Sequence, residues 1–256
     1  MRILLSNDDG VNAPGLAVLE RIARAISDDV TIVAPADEQS GAGRSLTLTR
    51  PLRLRQIDAR RYAVSGTPTD AVMMALTLIM KDAPPDLILS GVNRGANLGE
   101  DVGYSGTVSA AMEGALAGVR SVALSQVYPG EGAGENVSFA AAEAWGERAL
   151  RPLLDAAWHS RTLFNINFPA CGPDDVPGIR VVPQGLRDYG RTEILQGTDP
   201  RGFDYYWLKL AGMPHTPAHS TDLESAADGW VTVTPLHCDM THHAGLAAAR
   251  DWYRNA

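Results

Sequence analysis

The chain has 256 residues, 45% hydrophobic and 20% charged, enough apolar content to bury one large α/β core and too much for overall disorder. A formal charge of −8 leaves no basic footprint for a nucleic-acid polymer or an anionic membrane, and no stretch reaches the roughly 18 to 20 apolar residues that span a bilayer. Cys171 and Cys238 lie far apart and the apolar part of MRILLSNDDG is too short for a signal peptide, so neither a disulfide framework nor export is expected and the reading is a cytoplasmic protein.

In chain order, ILL at 3–5 reads as a buried strand, GLAVLERIARAI at 15–26 as a helix and VTIVA at 30–34 as the next strand. This rhythm of short Val-, Ile- and Leu-rich runs between helical patterns signals βαβ units on a parallel sheet. In VSGTPTDAV, Thr67 suits a helix cap and Pro68 the first helical position. The rhythm continues with a helix at 70–81, a strand at 87–91, a helix at 107–118, a strand at 121–125, a long helix within 137–157 and a strand at 163–168. A doubly wound sheet accommodates this order with the simplest connections. After about residue 183 turns take over around GTDPRG. DYYWLKL at 204–210 reads as part of a hairpin arm, VTVTP at 231–235 as a strand and 240–254 as an amphipathic helix. Residues 1–256 thus form a single α/β domain, with an arm region at 185–222 and a C-terminal helix at 240–256. Their aromatic residues suit subunit contacts or, equally, cover for the domain's own core.

Ligands of open parallel sheets bind beyond the carboxyl ends of the strands, which directs attention to four polar loops. Asp8 and Asp9 follow the first strand, and two adjacent carboxylates repel unless a cation lies between them; Asp-Asp-Gly is also an ordinary turn. ADEQSGAGRS offers Gln39, Ser40 and Arg44, or is a plain solvent loop. SGVNRG puts Asn93 and Arg94 where the strand LILSG must end, Asn93 being an oxygen donor or a turn former. Two carboxylates, a hydroxyl and an amide carbonyl make a hard, all-oxygen set suited to Mg²⁺, Mn²⁺ or Ca²⁺ rather than zinc. In GYSGTVSAAMEG, Ser105, Gly106 and Thr107 open a helix, whose free N–H groups form an anion site and whose hydroxyls can cap it.

No GxxxxGK[ST] loop, GxSxG elbow or GxGxxG turn occurs, which disfavours a P-loop enzyme, a serine hydrolase and a dinucleotide site. PLHCDMTHH gathers His237, Cys238, Asp239, His242 and His243, but at no common zinc spacing; Asp239 or Thr241 reads better as a helix cap.

SNDDG, SGVNRGANLG and GYSGTVSAAMEG in combination, with SGTPTDAV, NINFP and VTVTPLH, resemble the SurE family of survival-protein phosphatases over essentially the whole chain. The resemblance implies a Rossmann-like, mostly parallel sheet flanked by helices, with a protruding hairpin arm and a C-terminal helix exchanged between subunits of a dimer or tetramer. It implies hydrolysis of nucleoside 5′- and 3′-monophosphates with one divalent ion, Mg²⁺ or Mn²⁺, some members also trimming short polyphosphate. Its metal ligands fall on Asp8, Asp9, Ser40 and Asn93, with Asp8 and Asp9 the catalytic carboxylates. Asn97, Ser105, Gly106 and Thr107 would line the phosphate site. The segment 181–191 departs from the family pattern in carrying Pro183, which bears on substrate breadth. The rival readings are a broad phosphomonoesterase or exopolyphosphatase, and a non-catalytic nucleotide or metal sensor.

Overall fold

A computed structural model describes residues 1–128, 137–187, 192–210 and 220–254. In its main sheet β1 (Ile3–Ser6), all four residues buried, is flanked in parallel by β2 (Val30–Pro35) and β5 (Leu87–Arg94). Beyond β2 lie β4 (Arg61–Val64) and β3 (Leu54–Asp58). Beyond β5 come β6 (Arg120–Gln126), β7 (Thr162–Phe168), β11 (Val231–His237) and β8 (Ile179–Val181), giving the order β3-β4-β2-β1-β5-β6-β7-β11-β8. The sheet is parallel except at the β3–β4 and β7–β11 pairs. Because the chain leaves β1 for β2 on one side and later returns to β5 on the other, a topological switch point lies at the carboxyl end of β1.

Helices cover both faces. On one, α1 (Pro14–Arg24) buries Leu16, Leu19 and Ile22 beside α4 (Ala140–Asp155), against Ile3, Leu5, Leu89 and Leu124. On the other, α2 (Pro68–Met74) and α3 (Gly106–Leu116) pack over Leu4, Val33 and Ile88. The alternation Ile3, Leu4, Leu5 across the sheet follows from the two-residue repeat of a strand buried on both faces. Thr67 caps α2 in a reciprocal box with Asp70, and Pro68 opens the helix as its spacing indicates.

The outer parts differ in detail from the sequence expectations. The strand expected at 87–91 runs on to Arg94. The helix expected over 70–81 is α-helical only to Met74 and continues as a π turn, Ala75–Ile79. β9 (Thr192–Thr198) and β10 (Asp204–Leu210) form a separate two-stranded antiparallel hairpin. After α5 (Asp222–Ala227) and β11, α6 (His243–Trp252) closes the chain, with Asp239 accepting from the Thr241 N–H and giving α6 no side-chain cap. No helix among the described residues is long and apolar enough to cross a membrane.

Candidate active site

The carboxyl ends of β1, β2 and β5 and the first turn of α3 meet at the switch point. Asp8 lies two residues beyond β1, only 5% exposed, and accepts a hydrogen bond from the hydroxyl of Thr107, itself fully buried. The approach is close enough to require Gly106: a Cβ there would stand 2.7 Å from the Cβ of Asp8. The carbonyl of Asp8 accepts from the backbone N–H of Gln39, at 2.8 Å, so the loop after β2 is fastened to the same turn.

Asp9 points along the β5 side, its carboxylate accepting from the backbone N–H of Arg94 at 3.1 Å. Asn93, one residue before that contact, donates its Nδ2 to the Gly95 carbonyl at 2.9 Å, which leaves Oδ1 as the acceptor of the amide. Ser40 sits apart: it is exposed and its hydroxyl donates to Glu38 at 2.8 Å, although its neighbour Gln39 touches Asp8.

Burial pushes the Asp8 carboxyl up to about 6, with the charge of Asp9 adding to the effect and the Thr107 hydroxyl opposing it. Burial also raises Asp9, opposed by the Arg94 N–H and guanidinium and reinforced by Glu38. Two crowded, desolvated carboxylates whose direct partners are a hydroxyl and a backbone N–H call for a cation. Among the described residues no three His, Cys, Asp or Glu side chains gather as a metal group. The carboxylates of Asp8 and Asp9 and the Oδ1 of Asn93 are hard oxygen donors of the kind that suits a divalent ion such as Mg²⁺ or Mn²⁺.

The anion half of the site is the start of α3. Ser105 is its N-cap, the hydroxyl accepting from Val108 N at 3.0 Å; of the four residues expected to meet phosphate, Ser105 thus caps the helix and Thr107 directs its hydroxyl to Asp8. What α3 offers an anion is its N-terminal backbone and dipole. Asn97 belongs to a neighbouring buried network: its Nδ2 donates to Ser125 Oγ at 2.8 Å, and its backbone is gripped by Asn165 and Asn167 from β7.

The sequence singled out only Asn97 of that network. The alternation Asn165-Ile166-Asn167 in a buried strand was its signal, since buried amides need partners. Sequence reasoning also passed over Asp222. This fully buried carboxylate accepts from the N–H of Gly99 at 2.9 Å and of Gly185 at 2.7 Å, while Arg187 pairs with Asp101 at 2.7 Å. Together they brace the turn that leads into α3.

Known proteins similar to this chain carry one family name. The family model described as survival protein SurE matches residues 3–191. A protein named 5′-nucleotidase SurE from Rhizorhabdus wittichii is 80% identical over 254 residues, covering 99% of this chain and 100% of the relative. One of the same name from Erythrobacter litoralis is 58% identical over 247 residues, covering 96% of this chain and 97% of its own length. A crystal structure of the SurE protein from Aquifex aeolicus is similar with a TM-score of 0.83 and 37% identity, covering 98% of this chain and 99% of that one.

Proposed function

The chain belongs to the survival protein SurE family, and from that premise we propose how its residues perform the 5′-nucleotidase reaction, hydrolysis of a nucleoside 5′-monophosphate to nucleoside and phosphate. The enzyme depends on a divalent metal; we assign it one ion, Mg²⁺ or Mn²⁺, held by Asp8, Asp9, Asn93 and, after its hydroxyl leaves Glu38, Ser40. When bound, the ion supplies charge that offsets the carboxylates and draws electron density from the phosphoryl group. The observation that carries the reading is the buried Asp8 set directly against the first turn of α3, a carboxylate and an anion-binding helix end sharing one spot.

Asp8 and Asp9 act as ligands. The Thr107 hydroxyl holds Asp8 in one orientation and favours its ionised form. The N–H of Gly106 and the side-chain amide of Asn97 receive the phosphoryl oxygens, where charge develops in the transition state. Water is the nucleophile: its oxygen forms the new bond to phosphorus, the ester bond to the 5′ oxygen breaks, and a proton passes to the leaving alkoxide. The absence of a DxDxT pattern accords with water attack rather than an aspartyl-phosphate.

The same site takes 3′-monophosphates, in a cytoplasmic dimer or tetramer assembled through the arm and the C-terminal helix. The test is phosphate release from AMP with Mg²⁺ or Mn²⁺, before and after EDTA, in the parent and in Asp8→Asn. EDTA abolishes turnover and Asp8→Asn lowers it by about a hundredfold or more. Full activity of either the chelated enzyme or the variant rejects the assignment.

A further inference from the structure

A cavity of about 370 Å³ lies at the amino ends of the strands. Arg120 opens β6 and Thr162 opens β7, and both strands run parallel to β1, so this cavity is on the rim of the sheet opposite to Asp8. Leu116 of α3, Trp158, His159 and Arg161 also line it. The seven residues of β6 put about 20 Å between the two rims, too far for one small molecule to touch both.

Three features give the cavity its chemistry. The first is charge. In a chain of net charge −8, two guanidiniums and an imidazole line it without an Asp or Glu, and among the described residues no carboxylate pairs with Arg120 or Arg161. The carbonyl end of α3 opposes an anion there, but roughly half a negative charge is outweighed by two full positive ones. The second is rigidity. Arg120 donates its Nη1 to the Leu154 carbonyl at 2.6 Å, with its guanidinium 6.0 Å from the centre of the Trp158 ring. Trp158 in turn donates its Nε1 to the Leu153 carbonyl at 2.8 Å and meets Phe164 edge-on at 4.7 Å. An indole and a guanidinium are therefore held in place before any ligand arrives, which lowers the entropy lost on binding. The third is the backbone of Arg161, which has φ 59°, a left-handed conformation that suits glycine, while its carbonyl accepts from the Cys238 N–H at 3.0 Å.

We propose that this cavity is a second ligand site, separate from the hydrolytic one, for a small phosphorylated molecule that carries a flat heterocycle. Its phosphate meets Arg120 and Arg161 and its ring lies against Trp158. The volume is at the small end of ligand pockets, which suits a nucleoside monophosphate and leaves no room for a polymer. The site needs no metal, because its charge is already positive.

The test is isothermal titration calorimetry of the full chain in EDTA, which stops turnover and leaves Asp8 and Asp9 uncompensated against a phosphate at the other rim. AMP, adenosine and inorganic phosphate are titrated into the parent, Arg120→Gln and Arg161→Gly. Glycine at 161 also relaxes the left-handed backbone, so weaker binding there does not come from a lost fold. AMP is expected to bind the parent at least about tenfold more tightly than adenosine or phosphate, and each variant to weaken it about tenfold or more. With metal restored, both variants should keep the parental kcat/KM for AMP. AMP that fails to bind the parent, or binds either variant as tightly, overturns the site. Phosphate binding as tightly as AMP overturns the place given to the heterocycle. A loss of kcat/KM equal to the loss of binding assigns the effect to the hydrolytic site and overturns the proposal.

Discussion

Asn167 holds the peptide groups of Asn97 at both ends: its Oδ1 accepts from the Asn97 N–H at 2.9 Å and its Nδ2 donates to the Asn97 carbonyl at 3.1 Å. Asn165 donates to the same carbonyl at 2.7 Å. A side-chain amide here takes the place of a neighbouring strand, fixing a turn that no ladder reaches. Replacing Asn167 by Leu keeps the bulk but strips the Asn97 N–H of its acceptor in a buried setting. The expected cost is about 2 kcal/mol of unfolding free energy. Turnover of AMP should drop about tenfold or more, because the amide of Asn97 loses its fixed aim. Urea unfolding and steady-state kinetics on one preparation check this, and undiminished kcat/KM would show that Asn97 needs no such support.

The hydroxyl of Thr107 lowers the proton affinity of Asp8 against the upward push of burial. Thr107→Val keeps the shape and removes the donor, so the proton is held more tightly and competes better with the metal. The acidic limb of the pH–rate profile should move up by about one pH unit, and the metal concentration for half-maximal rate at pH 6 should rise. Thr107→Ser, which keeps the hydroxyl, should restore the parental limb.

Metal and proton compete for Asp8, which gives the metal-free protein an unusual pH dependence. The carboxyl has its ordinary value of 3.8 unfolded and about 6 folded, so the folded state binds more protons between these values. Its contribution to stability therefore declines as pH rises through that window, and above it the buried charge costs about 3 kcal/mol. Asp8→Asn carries no such charge. Without metal it should melt above the parent at pH 7.5, the difference shrinking towards pH 4. Adding Mg²⁺ or Mn²⁺ should raise the parent's melting temperature more at pH 7.5 than at pH 5 and leave Asp8→Asn nearly unmoved. Differential scanning calorimetry over that range reads all three.

The middle of the sheet was legible because its strands are buried on both faces, so that uninterrupted runs such as Leu87–Leu89 stand out between helical patterns. The β3–β4 hairpin was not: in RQIDARRYAV only Ala63 and Val64 are buried, and a half-solvated edge carries no continuous apolar signal. Asp8 and Asp9 could be picked out because a charged pair at the end of a buried strand is conspicuous. The partner of Asp8 could not, since Thr107 lies 99 residues away and no local period connects them. The orientation of Ser40 was not legible either: in this exposed loop its hydroxyl turns to Glu38, two residues away.

The hairpin supplies the last prediction. Tyr206, Trp207 and Leu208 in β10 are 62%, 68% and 69% exposed, and Ile194 in β9 is 64% exposed. Among the described residues β9 and β10 pair only with one another, so the hairpin takes no edge bonds from the main sheet. A lone hairpin is marginally stable in water, and one carrying this much apolar surface gains most by burying it against another chain. Trp207→Glu combined with Leu208→Lys leaves the central sheet and the Asp8 turn untouched. Light scattering coupled to size exclusion should then report a lower mass for the double variant than for the parent at the same concentration. Equal masses for the two, at a value of one chain, would mean that the arm covers nothing beyond its own protomer.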